Sequence, residues 1–286
     1  MNLETLAHLR RAVELPDLSA TRYAAGKEIG RGGNGVVYQA LDTVLDRHVA
    51  LKVVAGPSQE ARTTARLEHP GIVPVHDAGP LPDGRYYYAM RLIEGVRLDE
   101  FRAVTPSLAA RLRVFLKILD PVAFSHSRGV VHRDLKPENI MTGKFGEVLV
   151  LDWGAAKTAA SSADGVYAIG TEDFMAPEQA RGIATPQSDI FSLGRILAYL
   201  TPEHGTPPAL RAIAAKASAA RPEDRYTTAA DLAADIARFV DGEPVSAYRE
   251  NVLERAARFA RRHRFVLLVL AAYVVMRAMI FLAVRR

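Results

Sequence analysis

The sequence predicts an α+β chain, with strands toward its N-terminal end, helices toward its C-terminal end and one long apolar helix last. Three observations predict it. Apolar residues alternate on both sides of a glycine cluster from Gly30 to Gly35, the period of two strands meeting at a loop. Alanine-rich runs at 159–163, 214–220 and 229–234 suit helices. From Phe265 to Val284 come twenty residues of which nineteen are uncharged, enough to span a bilayer core. The 286 residues include no cysteine, so disulfides, thiol nucleophiles and Cys-type zinc sites are excluded. Histidines lack metal spacing, and no internal repeat is visible.

The densest chemical signal is His132-Arg133-Asp134-Leu135-Lys136-Pro137-Glu138-Asn139, with Asp152-Trp153-Gly154 following a short apolar run. Phosphoryl transfer from Mg·ATP needs a carboxylate at the attacking hydroxyl, a cation on the γ-phosphate, and carboxylate or amide oxygens on magnesium. Asp134, Lys136, Asn139 and Asp152 offer those groups in the order that protein kinases use. The chain resembles a eukaryotic-like (Hanks-type) serine/threonine protein kinase of the kind found in bacteria. That resemblance implies a small lobe of antiparallel sheet plus one helix, αC, and a large, mainly helical lobe. It also implies ATP and Mg²⁺ as ligands and catalytic roles for Asp134, Lys136 and Asn139, with Asn139 and Asp152 on the metal.

The elements follow in order. Residues 1–22 show helical apolar spacing at Leu3, Leu6, Leu9 and Val13 and lack the long apolar core of a signal peptide, so they are expected to be a helical extension. Gly30, Gly32 and Gly35 sit at G-x-G-x-x-G spacing, which dinucleotide-binding folds share and a plain hairpin turn could also explain. A Rossmann site requires a helix after the glycines, and the alternating flanks here favour a second strand. Lys52, in Val49-Ala50-Leu51-Lys52, matches the phosphate-binding lysine of the family's third strand. An isolated strand lysine is otherwise a solvated side chain. Glu60 matches the αC glutamate that pairs with this lysine. Only seven residues separate it from Lys52, fewer than the family has, and it falls in the first helical turn after Pro57-Ser58. There it could equally be an acid favoured by the helix dipole.

By the same resemblance, Tyr86 to Gly95 forms the fifth strand and the hinge, Met90 is the gatekeeper, and backbone groups of Arg91 and Ile93 bond the adenine edge. Ile29, Val37, Ala50 and Met141 would sandwich the ring, a role compatible with core packing. Trp153 stands where the family has Phe. Lys136 with Gly170-Thr171 matches the serine/threonine pattern, and the segment closes at Met175-Ala176-Pro177-Glu178. Arg133 would meet a phosphate on Thr158, Ser161 or Ser162. Asp189 would hold the catalytic loop, and Arg225 would pair with Glu178. Pro202, Pro207 and Pro208 leave little room for the family's αG helix, which helps dock substrates.

The excess positive charge is not on the catalytic domain, expected at 23–242 with lobes at about 23–90 and 94–242. From Arg249 to Arg286 there are nine Arg and two Glu, a net of +7 against +5 for the whole chain, which leaves −2 for residues 1–248. That balance argues against nucleic acid as a partner. A basic juxtamembrane segment is expected at 243–264 and a single-pass membrane helix at 265–284, with membrane lipid as its partner. Arg277 would snorkel or pair with another chain, admitting a homo-oligomer. Basic residues precede the span, placing the kinase domain in the cytoplasm. So little chain follows that an external sensor is not expected, and the chain resembles a tail-anchored kinase. Two function classes remain: an enzyme acting on protein Ser/Thr hydroxyls, itself included, and a membrane-tethered pseudokinase scaffold. Pseudokinases lose the Lys, the catalytic Asp or the metal Asp, and all three are present. A small-molecule kinase is third, because such enzymes lack the Gly170–Glu178 segment.

Overall fold

A computed structural model describes residues 15–32, 35–57, 59–105, 107–153, 157–158, 173–202 and 204–284. The first strands are β1 (Tyr23–Gly32), β2 (Gly35–Asp42) and β3 (Arg47–Val54). A helix, α1 (Gln59–Ala65), then precedes β4 (Val75–Pro80) and β5 (Tyr86–Arg91). The strands form one antiparallel sheet in the order β1-β2-β3-β5-β4. Alternation sets its faces. Tyr38, Ala40, Val49, Leu51 and Ala89 point into a small core with Tyr23 and Tyr87, and Tyr38 pairs with Leu51 and Ala40 with Val49 across the ladder. The glycine-flanked strands therefore make a hairpin. At Gly35, φ is +131° and a Cβ would run into the Val53 carbonyl oxygen, so only glycine fits.

The large lobe holds β6 (Gly95–Arg97), α2 (Leu98–Val104), α3 (Leu108–Ser127), β7 (Val130–Val131), β8 (Ile140–Gly143) and β9 (Val148–Val150). It continues with β10 (Lys157–Thr158), α4 (Pro186–Leu200), α5 (Pro208–Ala217) and α6 (Ala229–Val240). Leu112, Phe115, Ile118, Leu119 and Val122 line one face of α3 and meet Ile190, Leu193 and Leu197 of α4 and Leu232 and Ile236 of α6. Each such side chain contributes about 1.5–3 kcal/mol on burial. Thr228 caps α6: Asp231 N donates to its Oγ1 (3.1 Å), while Thr228 N donates to Asp231 Oδ2 (3.0 Å). Between α4 and α5 lies only a short Pro-containing link, so the space of the family's αG is not filled by a helix among the described residues.

Two expected boundaries move. Residues 15–22 form turns and bends where the sequence suggested a helix, because Pro16 disfavours one and the Asp17 carboxylate accepts a bond from Ser19 N (3.0 Å). Residues 1–14 lie outside the described residues. At the other end, packing runs past Gly242. Val245 is buried in the large-lobe core, and Asp235 accepts bonds from Ser246 N (2.8 Å), Ser246 Oγ (2.7 Å) and Ala247 N (3.1 Å). Beyond this, Asn251 caps α7 (Val252–Arg262), and α8 (Arg264–Val284) follows. The described side chains of α8 are exposed. Those of Arg264, Ala278 and residues 281–284 are outside the description, and among the described residues no helix is long and apolar enough to cross a membrane.

Candidate active site

The strand period builds one wall of the cleft. On β3, Ala50 and Lys52 share a face. Across the ladder Lys52 faces Val37, which in turn faces Gly30 on β1. Lys52 Nζ lies 2.9 Å from both Glu60 carboxylate oxygens and 3.0 Å from Asp152 Oδ1. Glu60 is in the first turn of α1, yet it reaches the lysine and is buried there. Burial works against the Lys52 ammonium, but Glu60 and Asp152 outweigh it and hold its pKa above the usual lysine value. Burial, reinforced by Asp152, raises Glu60. Burial would also raise Asp152, but the Lys52 ammonium prevails and keeps it below its ordinary value.

The opposite wall is the loop from His132 to Asn139. Asn139 Nδ2 donates to Asp134 Oδ2 (3.0 Å) and to the Asp134 carbonyl (2.8 Å), and Lys136 Nζ is 2.9 Å from the same Oδ2. The loop is fixed from below by Asp189 of α4, fully buried, which accepts bonds from His132 N (2.8 Å) and Arg133 N (2.9 Å) and touches His126 Nε2 (2.8 Å). Burial alone would raise the Asp189 carboxyl, but these donors keep it ionised below its ordinary value. Arg133 adopts φ +73°, a left-handed conformation costly for a side-chain-bearing residue. Its carbonyl accepts from Gln179 Nε2 (2.7 Å), so both its backbone groups are tied down. Trp153 packs against the His132 ring at 4.6 Å and donates Nε1–H to the Val150 carbonyl.

Farther below, Arg225 forks onto Glu178, with Nη1–Oε1 2.6 Å and Nη2–Oε2 2.9 Å, and Ser188 Oγ donates to the same carboxylate (2.8 Å). Thr158 has only its backbone described, while Gly170, Thr171, Ser161 and Ser162 lie outside the described residues. Arg133 Nε is buried and bonds to no described residue.

Every residue expected in catalysis, nucleotide binding or metal binding lines one of two adjoining compartments. Gly30, Gly32, Gly35, Val37, Lys52, Glu60, Met90, Asp134, Lys136, Asn139 and Asp152 surround a cavity of about 360 Å³. Ile29, Ala50, Arg91, Ile93 and Met141 surround a second of about 460 Å³, which shares Gly30, Val37 and Met90 with the first. Sequence reasoning missed Val73, Leu151 and Arg97, which line both compartments. It also missed Tyr88, whose buried hydroxyl finds no hydrogen-bond partner of proper geometry among the described residues, although the Glu60 carboxylate is close enough to help keep it protonated. Among the described residues no cluster of three or more His, Cys, Asp or Glu is arranged for a metal. Magnesium needs fewer: one or two protein oxygens beside phosphate and water. The donor set fits that demand, because both Asn139 amide bonds use its nitrogen and leave the amide oxygen for a cation beside Asp152.

The protein kinase domain family matches residues 23–231. The serine/threonine-protein kinase PknB of Mycobacterium tuberculosis is 35% identical over 81% of this chain and 45% of its own length. PknD of Chlamydia caviae, also a serine/threonine-protein kinase, is 34% identical over 78% of this chain and 32% of its own length. PknD of Protochlamydia amoebophila is 37% identical over 62% of this chain and 23% of its own length. The chain thus spans less than half the length of these curated relatives. It belongs to the protein kinase family, as a Hanks-type serine/threonine member similar to the bacterial PknB and PknD.

Proposed function

We propose that the chain transfers the γ-phosphate of ATP to serine and threonine hydroxyls of proteins, its own included, from the cytoplasmic side of a membrane. The observation that carries this reading is the Asp134 carboxylate, held at Oδ2 by Asn139 and Lys136 in the cavity that Lys52 and Asp152 also line. Among the described residues nothing bonds its Oδ1, which is left for an acceptor hydroxyl. Asp134 takes the hydroxyl proton as the acceptor oxygen bonds to the γ-phosphorus and the bond to the bridging oxygen breaks, releasing ADP. Lys136 steadies the transferring group, and Lys52, oriented by Glu60, fixes the remaining phosphates. Asn139 and Asp152 would hold Mg²⁺, which would supply charge that neutralises the phosphate oxygens. Ile29, Val37, Ala50 and Met141 enclose the adenine, with Met90 as gatekeeper and backbone groups of Arg91 and Ile93 on the adenine edge.

Arg133, half-buried beside Asp189, is suited to a phosphate on Thr158, Ser161 or Ser162. Membrane attachment rests on the apolar sequence of residues 265–284 and on the arginines that precede it, which favour a cytoplasmic kinase domain. A scaffold reading draws on the seven-residue α1 and on the lack of a helix between α4 and α5 among the described residues. One experiment separates the two. Full-length protein with γ-labelled ATP and Mg²⁺ should label itself or a protein acceptor, and Asp134→Asn should abolish the transfer. Nucleotide binding without transfer in the wild type would leave the scaffold. Alkaline carbonate washing should leave the full chain in the membrane pellet, and its recovery in the supernatant would remove the anchor.

A further inference from the structure

A groove of about 490 Å³ lies between α1 and the sheet edge, outside the nucleotide cleft. Glu60 and Thr64 turn one face of α1 to the cleft, while Arg62 and Ala65 turn another to the groove. Val75, Ala78, Gly79, Tyr86 and Tyr87 form most of the sheet side, which His76 and Asp77 also join, and Pro57 and Ala61 complete the helix side. Ala65 on one side and Val75, Ala78 and Gly79 on the other leave room for an apolar segment. While Glu60, Ala61, Thr63 and Thr64 are buried, the exposed Arg62 and Ala65 of α1 are left for a further contact.

The chain itself brings a candidate to this place. Leu15, the first described residue, accepts a bond from Arg85 Nη2 (3.0 Å), and Asp17 N reaches Asp83 Oδ2 (3.4 Å). Leu18 is buried in the small-lobe core. Residues 1–14 therefore join the fold at the β4–β5 turn, and Pro80 and Tyr86, which flank that turn, form one end of the groove. Fourteen residues would span about 21 Å as a helix, and Leu3, Leu6, Leu9 and Val13 fall on one stripe at helical spacing.

We propose that residues 1–14 seat this stripe in the groove and brace α1, so that Glu60 stays on Lys52. The effect on turnover rests on the phosphoryl-transfer reading, whereas the docking does not. The chain has no cysteine, so Ala78→Cys provides a single thiol on the groove wall in the full-length protein. A seat filled nine-tenths of the time exposes that thiol for the remaining tenth. Maleimide labelling should therefore run about tenfold faster when Leu6→Glu and Leu9→Glu are added. Val44→Cys, on the exposed β2–β3 turn, should label at one rate in both backgrounds. The double change should also raise the KM for ATP. Equal labelling at position 78 in both backgrounds would overturn the docking. So would protection that grows with protein concentration, which would mean a second copy in the groove, or parallel changes at position 44, which would mean a loosened fold. Faster labelling with an unchanged KM for ATP would overturn the brace. A wild type that transfers no phosphate would sink the catalytic reading and leave the labelling result standing.

Discussion

Across the cleft, the loop 132–139 is fixed by bonds from three separate elements, whereas α1 reaches the site through the Lys52–Glu60 ion pair. Asp189 holds two loop amides, Gln179 holds the Arg133 carbonyl, and His132 Nε2 meets the Leu151 carbonyl at 2.9 Å. On the other wall, Glu60 stands in the first turn of a seven-residue helix and bonds a lysine that also answers to Asp152. An isolated helix of that length is unstable in water, so its position depends on what packs against it. The groups proposed to meet the acceptor and the metal are therefore held by several bonds, whereas the placement of Lys52 depends on a short helix.

The largest expected effect ignores the asymmetry, because both walls contribute charge to the reaction. Lys52→Met and Asp152→Asn should each lower kcat by about a thousandfold or more while leaving the melting temperature near wild type, since preorganised charge is worth several kcal/mol. Wild-type-like kcat in either variant would remove these residues from the chemistry.

Next comes the support of the large lobe. Arg225→Met leaves Glu178 buried without its fork and should cost about 3–5 kcal/mol of stability, read as a lower urea midpoint. A midpoint shift under 1 kcal/mol would mean that the lobe does not depend on this pair.

Acid should distinguish the two walls. Burial would raise Glu178, Asp189 and Asp235, but Arg225 and Ser188 hold the first below its ordinary 4.5, and His126 and the backbone donors of Ser246 hold the other two below 3.8. A carboxyl with a depressed folded pKa contributes stability that is complete above the unfolded pKa and is lost as pH falls through the folded one. Large-lobe stability should thus decline below about pH 4.5. Glu60 is shifted the other way, so its contribution is complete below its unfolded pKa and is lost as pH rises through the folded value. Trp153, the only tryptophan and buried in the large-lobe core, reports the first transition by fluorescence. A midpoint for urea unfolding that does not fall between pH 5 and 3 would contradict the assignment.

A smaller effect concerns α1 alone. Glu60→Gln should raise the KM for ATP and lower kcat by about tenfold together, with little change in melting temperature. A large loss of stability would show that α1 is structural to the small lobe and not a conditional element.

The sequence revealed residues that have chemistry and hid those that have only shape. Asp134, Asn139 and Asp152 sit in a motif whose side chains cannot be exchanged without losing charge, and Lys52 and the glycines are set by strand alternation and one left-handed position. Val73 and Leu151 line the same cleft but read as core residues, because an apolar wall and an apolar core use the same side chains. The latch of residues 245–247 onto Asp235 had no periodic signature to announce it. The turns of residues 15–22 were not foreseen because the apolar spacing of Leu3, Leu6, Leu9 and Val13 was extended past Pro16, where a proline and an Asp turn disfavour helix. The Glu60 pairing was ambiguous in sequence because a first-turn acid satisfies the helix dipole without any partner.

The difference between the walls can be measured directly by amide hydrogen exchange on the full-length protein, with and without Mg·ATP. The amides of His132, Arg133 and Leu151, bonded to Asp189 and Asn139, should exchange slowly in both conditions. Those of α1 should exchange at least about tenfold faster without nucleotide and slow down once Mg·ATP is added. Loop amides that exchange as fast as those of α1 before nucleotide is added would contradict a prebuilt catalytic loop facing a conditional lysine.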